Sequence, residues 1–357
     1  MNPASEADTG MLMAGNEAAG EAAIRAGCRF YAGYPITPQN ELTAYMADQL
    51  PLRGGVFVQA ESEVAAINMV FGASAAGARA MTSSSSPGIS LKQEGISYMA
   101  GAELPAVIIN MQRAGPGLGG IGPSQGDYWQ TTRGGGHGDY RCISLAPATG
   151  QDIVDLTYEA FDLADRYRTP VIVLGDGMMG QMMEPVRFDH LPEPSPPEKP
   201  WALTGEPGRP RNKIASFRLT VPGLAEHNRG LQEQYARIER EVQRSVLTGP
   251  EDADVLLVAF GTCARVCRQI VERPRAGLPF RPALFRPVTL WPYPADRLRE
   301  LARGKRGILT VEMNAGQMVE DVALAVGGEC PVEFLGRMGG EVPTAAEITE
   351  KLIAIFG

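Results

Sequence analysis

Cysteine is sparse in this chain: five thiols in 357 residues, at Cys28, Cys142, Cys263, Cys267 and Cys330. An odd number so widely spread excludes a disulfide framework and predicts the reduced thiols of a cytoplasmic protein. Only Cys263 and Cys267 are close. Their i, i+4 spacing puts them on one helix face, and the three histidines, His137, His190 and His227, are too scattered to complete a metal site. The pair therefore reads as helix packing. No run of four closely spaced cysteines could hold an iron–sulfur cluster, so the electron carriers of any redox chemistry must sit on another chain. Positive charge is short as well, with 33 basic against 41 acidic residues and a net charge of −8. That excludes the footprint of a nucleic-acid binder and repels an anionic membrane surface. Long apolar runs are missing, since none reaches the ~18 residues of a membrane span. The N-terminal MNPASEADTGMLMAGNEAAGEAA has neither the basic start nor the apolar core of a signal peptide.

What is present is ordinary globular composition, 44% hydrophobic and 21% charged, on a length that sets a prior of two domains. From residue 15 to residue 176 helical and strand-like segments alternate. Helical patterns fall at 16–26, 39–50, 61–76, 91–99 and 151–164. Strand-like runs fall at 28–31, 56–59, 80–83, 106–111, 142–145 and 171–174. This alternation predicts an α/β fold with a mainly parallel sheet covered on both faces. The stretch LPEPSPPEKPWALTGEPGRPR carries too many prolines to continue a helix or a strand, and reads as a linker or surface strap. A polar helix is expected at 231–245, then a second α/β pattern with strands at 254–259, 283–285, 307–311 and 332–335. The expected division is 10–190 for the first domain, 191–250 for the proline-rich linker and helix, and 251–357 for a smaller second domain.

Ligands of open parallel sheets bind beyond the carboxyl ends of the strands, so the loops that follow strands are where chemistry is sought. Four stand out. In Tyr34-Pro35-Ile36-Thr37-Pro38 two prolines fix the backbone on either side of Thr37 and hold its hydroxyl in place. In Gln59-Ala60-Glu61-Ser62-Glu63 the acids stand at a helix start, where they would serve the helix dipole. Glu63, however, runs straight into the apolar Val64-Ala65-Ala66-Ile67, so a partly buried proton-relay carboxylate is expected there. Ser83-Ser84-Ser85-Ser86-Pro87-Gly88 offers hydroxyls and amides to an anionic ligand, and reads equally well as a simple turn. In the fourth, Arg113 ends a strand ahead of a glycine-rich loop and suits a bidentate carboxylate clamp. Gly175-Asp176-Gly177 has the start of the magnesium–diphosphate motif of thiamine diphosphate enzymes. The asparagine that would complete it comes no sooner than Asn212, so this motif reads as a strand end packed among methionines.

With YPITP, QAESEVAAINMVFGASAAGARAMTSSSSPG and GAELPAVIINMQR, the sequence resembles the 2-oxoacid:ferredoxin oxidoreductases. It is most like the alpha-type subunit of the branched-chain, 2-oxoisovalerate-using member. The likeness runs from about Met13 to the end, through Arg286-Pro287, Trp291-Pro292-Tyr293-Pro294, Val311-Glu312-Met313-Asn314 and Gly316-Gln317-Met318. It implies a pyrimidine-binding domain of the thiamine diphosphate fold followed by a transketolase C-terminal-like domain. It also implies that magnesium, the diphosphate and the [4Fe-4S] clusters belong to other subunits. Glu63 matches the glutamate that bonds N1′ of the cofactor's aminopyrimidine and favours its imino tautomer, with Glu61 as the competitor. Thr37 matches the threonine that bonds the oxoacid, and Arg113 the arginine that holds its carboxylate. Pro35, Ile36, Ser85 and Ser86 are expected beside the cofactor.

The reaction implied is oxidative decarboxylation of a 2-oxoacid to CO2 and acyl-coenzyme A, with electrons passed singly to clusters and on to ferredoxin or another acceptor. The resemblance further implies that coenzyme A is a substrate and that the chain works only with a thiamine diphosphate-binding beta subunit, a gamma subunit and a ferredoxin-like subunit. The loop after Arg113 holds no cation before Arg133 that could pair a second substrate carboxylate, which favours an apolar oxoacid. The alternatives are a 2-oxoglutarate or arylglyoxylate enzyme, or a non-catalytic assembly subunit. A free-standing nucleotide-binding protein is disfavoured, because neither GxGxxG after the first strand nor a P-loop is present.

Overall fold

The computed structural model describes residues 10–205 and 208–357. Two α/β bodies follow one another. In the first, β1 (Met11–Ala14), α1 (Gly15–Arg25), β2 (Phe30–Gly33), α2 (Asn40–Leu52), β3 (Val56–Gln59), α3 (Glu63–Ala75), β4 (Ala80–Ser84) and α4 (Ser86–Gly101) lead to β5 (Ala106–Gln112). Then come α5 (Tyr128–Thr132), β6 (Ile143–Leu145), α6 (Gly150–Tyr167), β7 (Pro170–Asp176), α7 (Gly177–Gln181) and β8 (Met183–Val186). Beyond the strap lie α8 (Val221–Val242), β9 (Ser245–Thr248), β10 (Val255–Val258), α9 (Gly261–Glu272), β11 (Pro282–Pro287), β12 (Thr289–Trp291), α10 (Ala295–Ala302), β13 (Gly307–Glu312), α11 (Met318–Val326), β14 (Val332–Gly336) and α12 (Ala345–Phe356).

The first sheet runs β12-β6-β7-β5-β4-β2-β3, parallel except for the antiparallel edge strand β12. Strands β4, β5 and β7 are buried throughout, as expected of strands covered by helices on both sides. The second sheet, β14-β13-β10-β11-β9, is parallel except for β9. Its strands alternate as the period of two dictates: Leu256 and Val258 pack with the α10–α11 side, Val255 and Leu257 with Cys263 and Cys267 of α9. The expected cysteine face of a helix is there, and all five thiols are buried and free.

The expected 231–245 helix is longer and earlier. Thr220 accepts from Gly223 N as the N-cap of α8, and Pro222 is tolerated in the first turn, where its missing N–H costs nothing. The helix stops before Ser245, which starts a strand of the second sheet. The segment expected as linker and helix is thus divided: α8 packs on the first core through Leu231, Tyr235 and Ile238, while β9 joins the second sheet. In return β12, from well inside the second body, closes the edge of the first sheet. The expected turn at 83–88 also shrinks. Ser83 and Ser84 belong to β4, Ser86 starts α4, and Ser85 alone is the junction.

Candidate active site

The chain leaves β2 for β3 on one side and returns to β4 on the other, so the first sheet reverses its winding between β2 and β4. The loops at their carboxyl ends part there and open a crevice. Glu63 stands at its rim. Ser62 caps α3, its Oγ accepting from Ala65 N at 3.2 Å, which makes Glu63 the first helical residue. Its side chain is 6% exposed, whereas Glu61 is exposed. Among the described residues the Glu63 carboxylate has no hydrogen-bond partner. It rests against α4 at Gly88, where an added Cβ would come within 2.7 Å of Glu63 Oε1 and 2.1 Å of Ser84 Oγ. The hydroxyls of Ser84 and Ser85 are buried and lack partners among the described residues, as does Nε2 of Gln39. Buried polar atoms are normally satisfied, so orphans collected in one crevice mark a place for a ligand with polar atoms of its own.

Beneath them the β2–β4 floor is a fixed polar chain. Tyr31 O–H lies 2.7 Å from Ser83 Oγ and 3.1 Å from Thr43 Oγ1, and Ser83 Oγ donates to Gln39 Oε1 at 2.5 Å. Lys92 of α4, fully buried, donates to Thr82 Oγ1 at 2.6 Å and to Ser83 O at 3.0 Å. Burial pushes its ammonium down to about 7, against the pull of the Glu63 charge.

Arg113 is 8% exposed and is held differently from a free clamp. Nη1 donates to Thr37 O at 3.0 Å and Nη2 to Leu118 O at 2.9 Å, which leaves Nε buried without a partner. The structure thus joins Thr37 to Arg113 through the backbone carbonyl, while the Thr37 hydroxyl accepts from Asn40 Nδ2 at 3.2 Å. Ser86 is engaged too: its hydroxyl lies 2.7 Å from Asp127 Oδ2 and accepts from Arg113 N at 3.0 Å, so it pins the arginine rather than waiting for a ligand. Burial raises the Asp127 carboxyl above its usual range, while the Ser86 and Asn110 bonds oppose that. Pro35 is exposed and Ile36 half-buried on the rim.

Next to Arg113 a cleft of about 570 Å³ opens between the two bodies, lined by Ser86, Arg113, Ser124, Asp127, Asn314 and Met338 among others. Its floor is clamped across the bodies. Gln125 N donates to Met313 O at 2.9 Å, its Nε2 to Phe260 O at 2.8 Å, and its Oε1 accepts from Met313 N at 2.9 Å. Asn314 Nδ2 adds a bond to Gln125 O at 2.8 Å, and Gln317 joins Gly126 and Trp129. Asp176 is another tie. It ends β7, caps α7 through Met178 N and Met179 N, and accepts from Thr262 Oγ1 at 2.8 Å at the start of α9. The strand end expected to pack among methionines is therefore an inter-body link through a buried carboxylate, held above its usual range by burial.

Sequence reasoning missed Lys92, Asp127 and Gln125. Only Lys92 left a signal, a lone charge on the otherwise apolar or small face of α4 carrying Ile89, Ile96 and Met99.

Two α/β bodies in this order, with a crevice at the switch point of the first sheet, define a transketolase-like fold. The same fold is seen in a split-gene transketolase, an inactive beta4 tetramer, with a TM-score of 0.55 at 15% identity over 96% of this chain and 99% of that one. Residues 21–245 match the family model of pyruvate flavodoxin/ferredoxin oxidoreductase, thiamine diphosphate-binding, and residues 253–348 that of pyruvate:ferredoxin oxidoreductase core domain II. The chain belongs to the 2-oxoacid:ferredoxin oxidoreductase family. It is 50% identical to the ketoisovalerate oxidoreductase subunit VorB of Methanothermobacter thermautotrophicus, over 97% of this chain and 98% of that one. It is 42% identical to the 2-oxoglutarate synthase subunit KorA of Archaeoglobus fulgidus, over 87% and 90%. Among solved structures, the 2-oxoglutarate:ferredoxin oxidoreductase of Magnetococcus marinus, bound to 2-oxoglutarate, coenzyme A and succinyl-CoA, matches with a TM-score of 0.84 at 27% identity. That match covers 100% of this chain and 67% of the other.

Proposed function

We propose that this chain is the pyrimidine-side subunit of a coenzyme A-dependent oxidoreductase that decarboxylates branched-chain 2-oxoacids. The observation that carries the reading is the Glu63 side chain, 6% exposed and without a hydrogen-bond partner among the described residues, packed on Gly88 beside the buried, orphaned hydroxyls of Ser84 and Ser85. A nitrogen heterocycle with both an acceptor and an amino group fits that set, and the aminopyrimidine of thiamine diphosphate is one. When bound, thiamine diphosphate supplies the nucleophilic carbon and the electron sink for decarboxylation.

The chain's own residues bind and orient. Glu63 holds a proton-sharing bond at the ring nitrogen; Pro35 and Ile36 form the apolar rim. Ser85 offers its hydroxyl to the bound group, and Ser86 fixes the Arg113 backbone. Arg113 offers Nε to the oxoacid carboxylate, and exchange of its Leu118 carbonyl for that carboxylate would complete a two-point grip in a poorly solvated cleft. Thr37 turns its hydroxyl to the oxoacid. Magnesium, the diphosphate contacts and the [4Fe-4S] clusters are assigned to a beta subunit and a ferredoxin-like subunit, with a gamma subunit completing the assembly in the cytoplasm and ferredoxin as acceptor. The 50% identity to a ketoisovalerate enzyme subunit exceeds the 36% and 42% to two 2-oxoglutarate synthase subunits, and the loop after Arg113 presents the apolar Leu118 and Ile121. Both support an aliphatic oxoacid.

The test is reconstitution with the partner subunits. Glu63→Gln should lower kcat at least about 100-fold, the scale of a lost acid–base contact, with the complex still assembled. Wild type should prefer 2-oxoisovalerate over 2-oxoglutarate and phenylglyoxylate. Full activity of the variant would make the chain a scaffold, and preference for 2-oxoglutarate would overturn the substrate assignment.

A further inference from the structure

Lys92 has no task in that reading, yet its placement is specific. It is fully buried, with Nζ fixed on β4 by Thr82 Oγ1 and Ser83 O. On α4 it stands between Gly88 and Gly95, at i, i+4 and i+7, so the three residues share one face. The two glycines let that face press on α3. An added Cβ would come within 2.7 Å of Glu63 Oε1 at Gly88 and within 2.5 Å of Ile67 Cγ2 at Gly95. Glu63 and Ile67 are themselves i, i+4 on α3. Lys92 therefore lies in the seam of α3, α4 and β4, one helical turn from the point where Glu63 rests on Gly88.

We propose that Lys92 is a positioning residue for Glu63, an internal counter-charge anchored on β4 that holds the carboxylate in its working place. The proposal rests on the reading of Glu63 as the cofactor contact. A carboxylate buried without N–H donors is costly unless a cation is near. The other groups facing the seam do not supply one. β4 presents the neutral Thr82, Ser83 and Ser84; β2 presents Tyr31, through Ser83. From β5 and its following loop, Asn110 and Asp127 reach the start of α4 through Ser86, and Glu94 on α4 itself is exposed. Among the described residues Glu63 is the charge that acts on Lys92, opposing the burial that lowers the lysine below its ordinary range. The Glu63 charge thus opposes the neutralisation of Lys92 by burial, and ties the two side chains across the seam.

The experiment uses the complex reconstituted with its partner subunits and compares wild type, Lys92→Met, Lys92→Gln and Glu63→Gln. The readouts are kcat and KM across pH and the circular-dichroism signature of the amino and imino forms of bound thiamine diphosphate. Glutamine keeps donors for Thr82 and Ser83 but no charge, so it separates charge from hydrogen bonding even where methionine disturbs the fold. In the neutral variants the acid limb of the kcat profile and the dichroism titration should both move upward by about one pH unit, the usual effect of removing a nearby opposite charge. KM for the oxoacid should stay within about twofold, since Lys92 does not reach the Arg113 cleft. A wild-type pH profile in Lys92→Gln beside an inactive Glu63→Gln overturns the proposal alone, as does a loss of kcat with no shift. If Glu63→Gln itself keeps wild-type activity and dichroism, the reading of Glu63 falls and the proposal with it.

Discussion

Gly88 shows how much one absent side chain decides. Glu63 and Ser84 both occupy the space that a Cβ would need, so the carboxylate reaches the crevice only because α4 is bare at that point. Gly88→Ala should displace Glu63 and cost about 1 to 3 kcal/mol of stability, as overpacking does. Activity of the reconstituted complex should fall much further than a urea midpoint of the purified chain indicates. A variant that loses stability but keeps full activity would show that Glu63 need not occupy this position. The serines differ in the same local way. Ser85, at the N-cap, keeps a free hydroxyl, while Ser86, one residue on, spends its hydroxyl on Asp127 and Arg113.

At the scale of elements, helix starts position the residues of the candidate site. Glu63 opens α3, Ser85 and Ser86 open α4, and Asp176 caps α7 while receiving Thr262 from the start of α9. The last of these joins the end of β7 to the second body, and it places the adjacent α7 and α9 against one another. Thr262→Val removes one donor from a buried carboxylate without changing side-chain size. It should destabilise the chain by about 1 to 3 kcal/mol, the penalty for an unsatisfied buried group, read as a lower denaturant midpoint. An unchanged midpoint would mean that the backbone bonds of Asp176 suffice.

The whole molecule is held as one by exchange. β12 completes the first sheet, α8 packs on the first core, and the loop carrying Ser124, Gln125 and Gly126 is sewn to Met313, Asn314 and Gln317. Its stability should depend on pH through groups that burial displaces. Lys92 has its pKa lowered from 10.5 to about 7 in the folded chain. The unfolded chain therefore binds the extra proton between those values, and stability from this group rises with pH there and is lost as pH falls through about 7. From pH 7 to 9, wild type should gain about 1.4 kcal/mol per pH unit relative to Lys92→Met, as measured by paired urea titrations. Burial pushes the Cys28 and Cys142 thiols from 9.0 up to about 12, so above pH 9 the unfolded thiols ionise first and stability falls in both chains alike. A pH-independent difference between the two chains would mean that folded Lys92 keeps its proton through pH 9, and would refute the lowering of its pKa by burial.

The amino-acid sequence by itself determined the class of the fold, because hydrophobic period and strand–helix alternation are local properties. Strand β3 is where the run Val56–Gln59 predicted it, and the buried strands β5 and β7 were legible as apolar runs, while β4 runs one residue past the expected 80–83. It also marked Glu63, since an acid directly ahead of Val64-Ala65-Ala66-Ile67 must be drawn toward the core. What no local pattern contains is which distant segments meet. That β12 leaves its own body for another sheet, that Arg113 spends two of its donors on Thr37 and Leu118, and that Lys92 lies in the seam beside Glu63 follow from packing across 25 or more residues in most cases. Such contacts are selected by shape and by the cost of leaving buried polar atoms alone, and those are settled only when the chain has closed on itself.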